Sequence, residues 1–232
     1  MAGAAARPRK SAALAPSTTA TVGRNCPLCP RLKEFRETWR RTEPTWFNAP
    51  VPSFGPVSAR LLIVGLAPGL QGANRTGRPF TGDYAGVLLY DTLARYGFTR
   101  GTFAAHPDDG LELVDARITN AVRCVPPENK PTGPEITTCR QFLNATIAEM
   151  KNLNAVVALG RVAHETVLAA HALRLKAFPF AHGASHPLGS VQLFSSYHCS
   201  RYNTNTGVLT PEMFRSVFAE VRAYLDGARP KT

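Results

Sequence analysis

Three polar residues in this chain could share one chemistry, and each lies in a loop behind an apolar run. Asp83 closes the stretch Gly65–Asp83, GLAPGLQGANRTGRPFTGD, which follows Leu61-Leu62-Ile63-Val64. Asn120 lies in ARITNAV at 116–122, and His198 lies in SSYHCSRYNTNTG, which overlaps the end of VQLFS at 191–195. An aspartate can orient water or stabilise developing positive charge. An asparagine amide offers a donor and an acceptor and reads a base edge bidentately. A histidine can donate to an oxygen that gains negative charge in the transition state. Phe80, among the loop glycines, is a candidate platform for a planar base. Each has an ordinary explanation alone: a turn-forming Asn, a solvated His, an Asp that merely caps a helix. Only their convergence on one pocket argues for chemistry.

The Gly65–Asp83 stretch holds five glycines, two prolines, two arginines and one carboxylate in nineteen residues. It is too polar and glycine-rich for core, and glycine lets a backbone approach a ligand closely. It reads as an active-site loop after the first strand. Five cysteines form a second set. Cys26 and Cys29 make a CxxC, Cys124 and Cys139 lie far downstream, and Cys199 stands apart. Four thiolates can hold zinc or an iron–sulfur cluster, and spacing alone leaves the identity open.

The elements that must position these residues are legible as alternating runs. Apolar strands are expected at 61–65, 116–122, 155–159 and 191–195, and helices near 30–41, 85–96, 133–151, 161–174 and 211–225. Strands alternating with helices indicate βαβ units and a parallel sheet, and continuous apolar strands fit a sheet covered on both faces. Thr132-Gly133-Pro134-Glu135 has capping-box spacing, and Thr210-Pro211-Glu212 marks another helix start. The expected fold is α/β, with four parallel strands flanked by helices. Strand carboxyl ends then share one edge, where ligands bind. Asp83, Asn120 and His198 would face one pocket.

The chain has 232 residues and a formal net charge of +11. Residues 1–24 hold almost no large apolar side chain and are expected as an unstructured tail, leaving one domain over 25–232. An excess of cation this large favours a polyanionic partner, nucleic acid first. No apolar run approaches the ~20 residues of a spanning helix, and no secretory signal is visible. The expectation is an intracellular, cytoplasmic protein, with a transit peptide left open by the Ala/Arg bias.

Taken together, GLAPG-x-x-G-x-NRTGRPFTGD, ITNAVRCVPPENKPT and SYHCSRYNTNTG, with the four spaced cysteines, resemble the family 5 (type b) uracil-DNA glycosylases from about Cys26 to Leu225. The resemblance implies a three-layer α/β sandwich on a four-stranded parallel sheet. It implies a [4Fe–4S] cluster on Cys26, Cys29, Cys124 and Cys139. The activity would be monofunctional hydrolysis of the N-glycosidic bond of uracil, and of other deaminated bases such as hypoxanthine, in DNA. The protein would act as a monomer, with a bacterial, nucleoid-associated location. Asp83 matches the aspartate assigned to water activation or cation stabilisation, Phe80 the stacking aromatic, Asn120 the reader of the uracil edge, and His198 the donor to uracil O2. Gly65, Ala67 and Gly69 would line the base and sugar. Related families carry a polar catalytic residue just after the first glycine, where this chain has the inert Leu66 and Ala67. The family often has His-Pro-Ser in the second motif, and this chain has His198-Cys199-Ser200.

Arg75, Arg78 and Arg201 lie near these motifs and are expected to grip DNA phosphates. A wedge that fills the gap left by a flipped nucleotide is expected within 201–209, with Tyr202 a candidate. One rival reading is a non-catalytic nucleic-acid-binding protein with a structural metal. A nucleotide-binding enzyme is disfavoured because the loop lacks GxxxxGK[ST] and GxGxxG. A DNA-crosslinking relative is disfavoured because no extra basic insertion precedes the histidine.

Overall fold

The structure is a computed structural model and describes residues 20–227. Chain order runs α1 (Pro30–Thr42), β1 (Leu61–Gly65), α2 (Ala73–Thr76), α3 (Tyr84–Arg95), β2 (Thr99–Arg100), β3 (Glu112–Leu113) and β4 (Ala116–Asn120). It continues through α4 (Gly133–Glu149), β5 (Ala155–Leu159), α5 (Arg161–Ala170), β6 (Ser185–Leu188), β7 (Val191–Ser196), α6 (Arg201–Asn205) and α7 (Pro211–Gly227).

The main sheet has strand order β4-β1-β5-β7-β6. Its first four strands run parallel, as expected from the apolar runs, but the sheet has five strands rather than four. The fifth, β6, pairs antiparallel with β7. Its sequence Ser-His-Pro-Leu lacks an apolar run, and Pro187 is tolerated because the strand lies at the edge.

Strand side chains alternate between faces, and both faces are covered. Leu61, Ile63, Ile118, Val157 and Phe194 pack against α3 and α7, through Leu89, Leu93, Phe214 and Phe218. Leu62, Val64, Val156, Ala158 and Leu193 pack against α4 and α5, through Leu143, Ala163 and Val167. Two-sided burial is why these strands read as unbroken apolar runs. Helix α4 starts in the capping box expected at Thr132 and Glu135, the Thr132 backbone N–H donating to Glu135 Oε2 at 2.8 Å. At α7 the Met213 N–H donates to Thr210 Oγ1 at 3.2 Å.

The tail expected over 1–24 overlaps the described residues at 20–24, where Ala20 is buried and Val22 half-buried while Thr21, Gly23 and Arg24 are exposed. The Ala20 N–H donates to Glu149 Oε1 at 3.2 Å, and Val22 packs against the cysteine cluster. Residues 1–19 lie outside the described residues. Among the described residues no helix is long and apolar enough to cross a membrane.

Candidate active site

Parallel strands deliver the three expected loops to one edge. Gly65 closes β1 in register with Asn120 at the end of β4, and Leu159 of β5 pairs with Ser196 of β7, two residues before His198. A cavity of about 760 Å³ opens at that edge. Its wall brings together Asp83, Asn120, Phe80, His198 and Arg201 with the loop Leu66–Ala73. Leu66 and Ala67 both line it, so no polar side chain enters from those two positions.

The loop glycines make room for the polar groups. Gly65 lies behind the wall: a Cβ there would overlap Asn120 Oδ1 and stand 2.7 Å from the Phe80 ring. At Gly72 a Cβ would overlap Asp83 Oδ2, and at Gly69 it would lie 3.1 Å from the same oxygen. Two glycines thus form a cradle for one carboxylate oxygen. The other, Oδ1, accepts the Gly86 N–H at 3.2 Å and caps α3. Asp83 therefore has both its capping role and its place in the cavity. Burial raises its pKa above the ordinary carboxylate value, against the N–H groups of Gly86 and Ala85, which lower it.

Asn120 is buried, and its Oδ1 has no hydrogen-bond partner. A buried acceptor left unpaired costs free energy and suits a ligand that brings a donor. Phe80 is buried and holds a left-handed backbone, φ 53°. Its ring faces that of His198, with centroids 5.9 Å apart and planes inclined by 27°. Loss of hydration brings the His198 pKa down to about 4, so the imidazole is neutral at neutral pH and keeps one N–H to donate. The backbone carbonyl of His198 accepts from Asn203 Nδ2 at 2.8 Å, which ties its loop to α6.

Two of the three expected phosphate-binding arginines are exposed. Arg201 lines the cavity mouth, its guanidinium over the Tyr84 ring at 5.3 Å, and Arg75 lies outside the cavity wall. Arg78 is different and corrects the sequence expectation. Its guanidinium is buried against Asp109, both nitrogens of its fork 2.7 Å from carboxylate oxygens, rather than presented to a phosphate. Tyr202 stands out of α6 at 73% exposed. Cys199 is fully buried, its Sγ 3.5 Å from the Ala85 carbonyl oxygen, and burial, then the nearby Asp83 charge, pushes its thiol pKa up. A thiol so covered serves as a small core residue.

Sequence reasoning missed Asn129, which lines the cavity from a turn after Cys124. Glu128 and Asn129 both have positive φ, 56° and 58°. Asparagine tolerates that region, but nothing in the sequence marks the glutamate. Tyr84 and Gln71 also line the cavity and were hidden as ordinary helix and loop residues.

The four cysteines set apart in the sequence line a second, small pocket with Val22, Leu28, Leu32, Val122 and Phe142. Two fully buried guanidinium groups flank it. Arg36 donates to Cys124 Sγ at 3.4 Å and to the Cys26 carbonyl at 2.9 Å, while its Nε has no partner. Arg123 donates from its backbone to Cys139 Sγ at 3.3 Å and from its side chain to the hydroxyls of Ser53 and Thr146. Among the described residues neither arginine has a carboxylate at ion-pair distance. Buried charge without a partner is costly, and four thiolates around a metal centre would supply the missing negative charge.

Comparison with known proteins identifies relatives over most of the chain. A type-5 uracil-DNA glycosylase of Thermus thermophilus is 47% identical over 204 residues, 85% of this chain and 92% of that protein. One of Pyrobaculum aerophilum is 39% identical over 203 residues, 86% of this chain and 88% of the relative. A type-5 enzyme of Mycobacterium bovis is 42% identical over 207 residues, 85% and 77%. The family description "Uracil DNA glycosylase superfamily" matches residues 52–222, which hold the whole cavity wall. The chain belongs to the uracil DNA glycosylase superfamily.

Proposed function

We propose that this protein hydrolyses the N-glycosidic bond between uracil and deoxyribose in DNA. The observation that carries the reading is the single cavity that holds Asp83, Asn120, Phe80 and His198 at the strand edge of a superfamily member. The bond from C1′ to N1 breaks with its electron pair leaving on the base. The uracil anion spreads its charge onto O2 and O4, the sugar gains oxocarbenium character, and water adds to C1′ and loses a proton.

Each side chain answers one demand of that step. Neutral His198 donates its N–H to O2 as charge builds there, and a neutral donor loses no proton to solvent at neutral pH. One such donor contributes roughly 3–4 kcal/mol to a transition state. Asn120 pairs with the uracil edge, its unpartnered Oδ1 accepting from the N3–H of the base. Phe80 stacks on the flipped base. Asp83 faces the sugar, where its carboxylate stabilises positive charge and orients the incoming water. The base must leave the helix to reach this cavity, with exposed Tyr202 filling the gap and Arg75 and Arg201 holding phosphates.

The four cysteines that line the second pocket support a [4Fe–4S] cluster there. Cys26, Cys29, Cys124 and Cys139 would hold it, and the paired buried arginines suit a dianionic centre. When bound it would tie α1 and the N-terminal segment to the loop after β4, away from the reacting bond.

The test is base excision from labelled duplexes carrying one uracil opposite G or A, followed by alkaline cleavage. A strand break at uracil is the expected result, and the same assay with hypoxanthine sets the breadth. Intact strands at both bases, from folded protein, would replace this reading with a binding role.

A further inference from the structure

Arg78 was expected at a phosphate and instead lies in a buried, densely hydrogen-bonded polar knot. Its side chain is 6% exposed and that of Asp109 is 2%. The fork makes two bonds of 2.7 Å to the Asp109 carboxylate, and Nε donates to Thr81 Oγ1 at 2.8 Å. Three rings surround the guanidinium: Phe54 at 5.3 Å, Tyr90 at 5.6 Å and Phe103 at 5.7 Å. Asp109 is itself fixed by the backbone N–H groups of Ala104 and Leu111, at 2.9 and 3.0 Å.

This knot closes around Phe80. Arg78 and Thr81 are joined by a side-chain hydrogen bond across it, and the Tyr90 hydroxyl donates to the Pro79 carbonyl at 2.7 Å. Thr76 Oγ1 donates to the Thr81 carbonyl at 3.1 Å. Between these anchors Phe80 holds φ 53°, a conformation costly for a bulky residue unless its surroundings enforce it. Its carbonyl packs where any Cβ at position 86 would stand, so Gly86 completes the enclosure. The enforced turn aims the ring at Gly65 and His198. Neither Arg78 nor any residue of 101–111 lines the cavity.

We propose that Arg78, held by Asp109, is a positioning residue that fixes Phe80 as the stacking surface for the base. The inference rests on the reading of Phe80 given above. The bidentate fork is what a lysine cannot reproduce, so Arg78→Lys keeps the charge and loses the geometry.

The experiment measures inhibition by free uracil and single-turnover excision for wild type, Arg78→Lys, Phe80→Leu and the double variant, with thermal melts of each. Arg78→Lys is expected to weaken uracil inhibition by about tenfold, the size of one base–aromatic stack. Added to Phe80→Leu it should change the inhibition constant by less than about twofold, since both act through one ring. Losses that multiply in the double variant would overturn the proposal. Full uracil affinity in Phe80→Leu would overturn the stacking reading itself, and the proposal with it. If Arg78→Lys does not fold, Asp109→Asn leaves the arginine an acceptor of the same shape and is expected to give the same non-additive pattern.

Discussion

At the scale of single residues, burial acts on two ionisable groups of the cavity, toward the form the reaction needs in His198 and against it in Asp83. Burial keeps His198 neutral down to about pH 4, so its charge does not change across the range of about pH 5 to 8 where histidines ordinarily switch. Replacing it by alanine removes one donor to the leaving base and should cut single-turnover excision by roughly 100- to 1,000-fold while duplex binding persists. Wild-type turnover in His198→Ala would remove that role. Asp83 is opposite in sign. Its folded pKa is raised, so the folded state takes up its proton more readily than the unfolded chain. Stability from this group is present at low pH and lost as pH rises through the raised pKa. At neutral pH the ionised carboxylate is therefore a cost accepted for function. Asp83→Asn keeps an N-cap of equal quality and removes that cost. It should slow hydrolysis strongly with a Tm no lower than wild type. The acid limb of the wild-type rate profile, centred above the ordinary carboxylate value, should vanish in this variant. A slow variant that also melts earlier would mean that Asp83 acts through the fold.

Elements set how closely these groups can approach, and here the glycines decide. Gly72→Ala would drive a Cβ into Asp83 Oδ2, whereas Gly133→Ala meets nothing within 4 Å. Misplacing a reacting group by about 1 Å costs on the order of 100-fold, so Gly72→Ala should lose activity on that scale and Gly133→Ala should not. Equal activity in both, measured by single-turnover excision, would count against the cradle. The glycine-rich loop was legible in the sequence because its composition excluded core, and the four parallel strands because two-sided burial made them wholly apolar. The fifth strand was not, because an edge strand such as Ser185–Leu188 needs no apolar run and can carry Pro187. The role of Arg78 was hidden for another reason. Its partner Asp109 lies 31 residues downstream in a loop with no periodic signal, so an arginine beside glycines looked like a phosphate ligand. Asn129 was hidden because a backbone of positive φ leaves no mark on a Glu-Asn pair.

For the whole molecule, positive charge in two places points to two anionic partners. Inside, Arg36 and Arg123 are buried without carboxylates beside four thiols. Freshly purified protein should be brown, with about four irons per chain if all four cysteines hold one [4Fe–4S] cluster. Stoichiometric zinc without visible absorbance would satisfy the same charge balance and exclude the cluster. Over the whole chain, a net charge of +11 makes DNA binding depend on release of counterions, so affinity should fall linearly with salt on logarithmic axes. The structure separates which arginines contribute. Arg201 is exposed at the cavity mouth, while Arg78 spends its charge on Asp109. Arg201→Ala should weaken binding to damaged and undamaged duplex alike and lower the salt slope by about one. Arg78→Gln, which removes the charge, should leave the slope unchanged, because a paired buried cation releases no counterion from DNA. Titrations of both variants across a range of salt, by fluorescence anisotropy, distinguish them. An unchanged slope in Arg201→Ala would place the DNA track on another face, and a lowered slope in Arg78→Gln would mean that the knot with Asp109 opens when DNA binds.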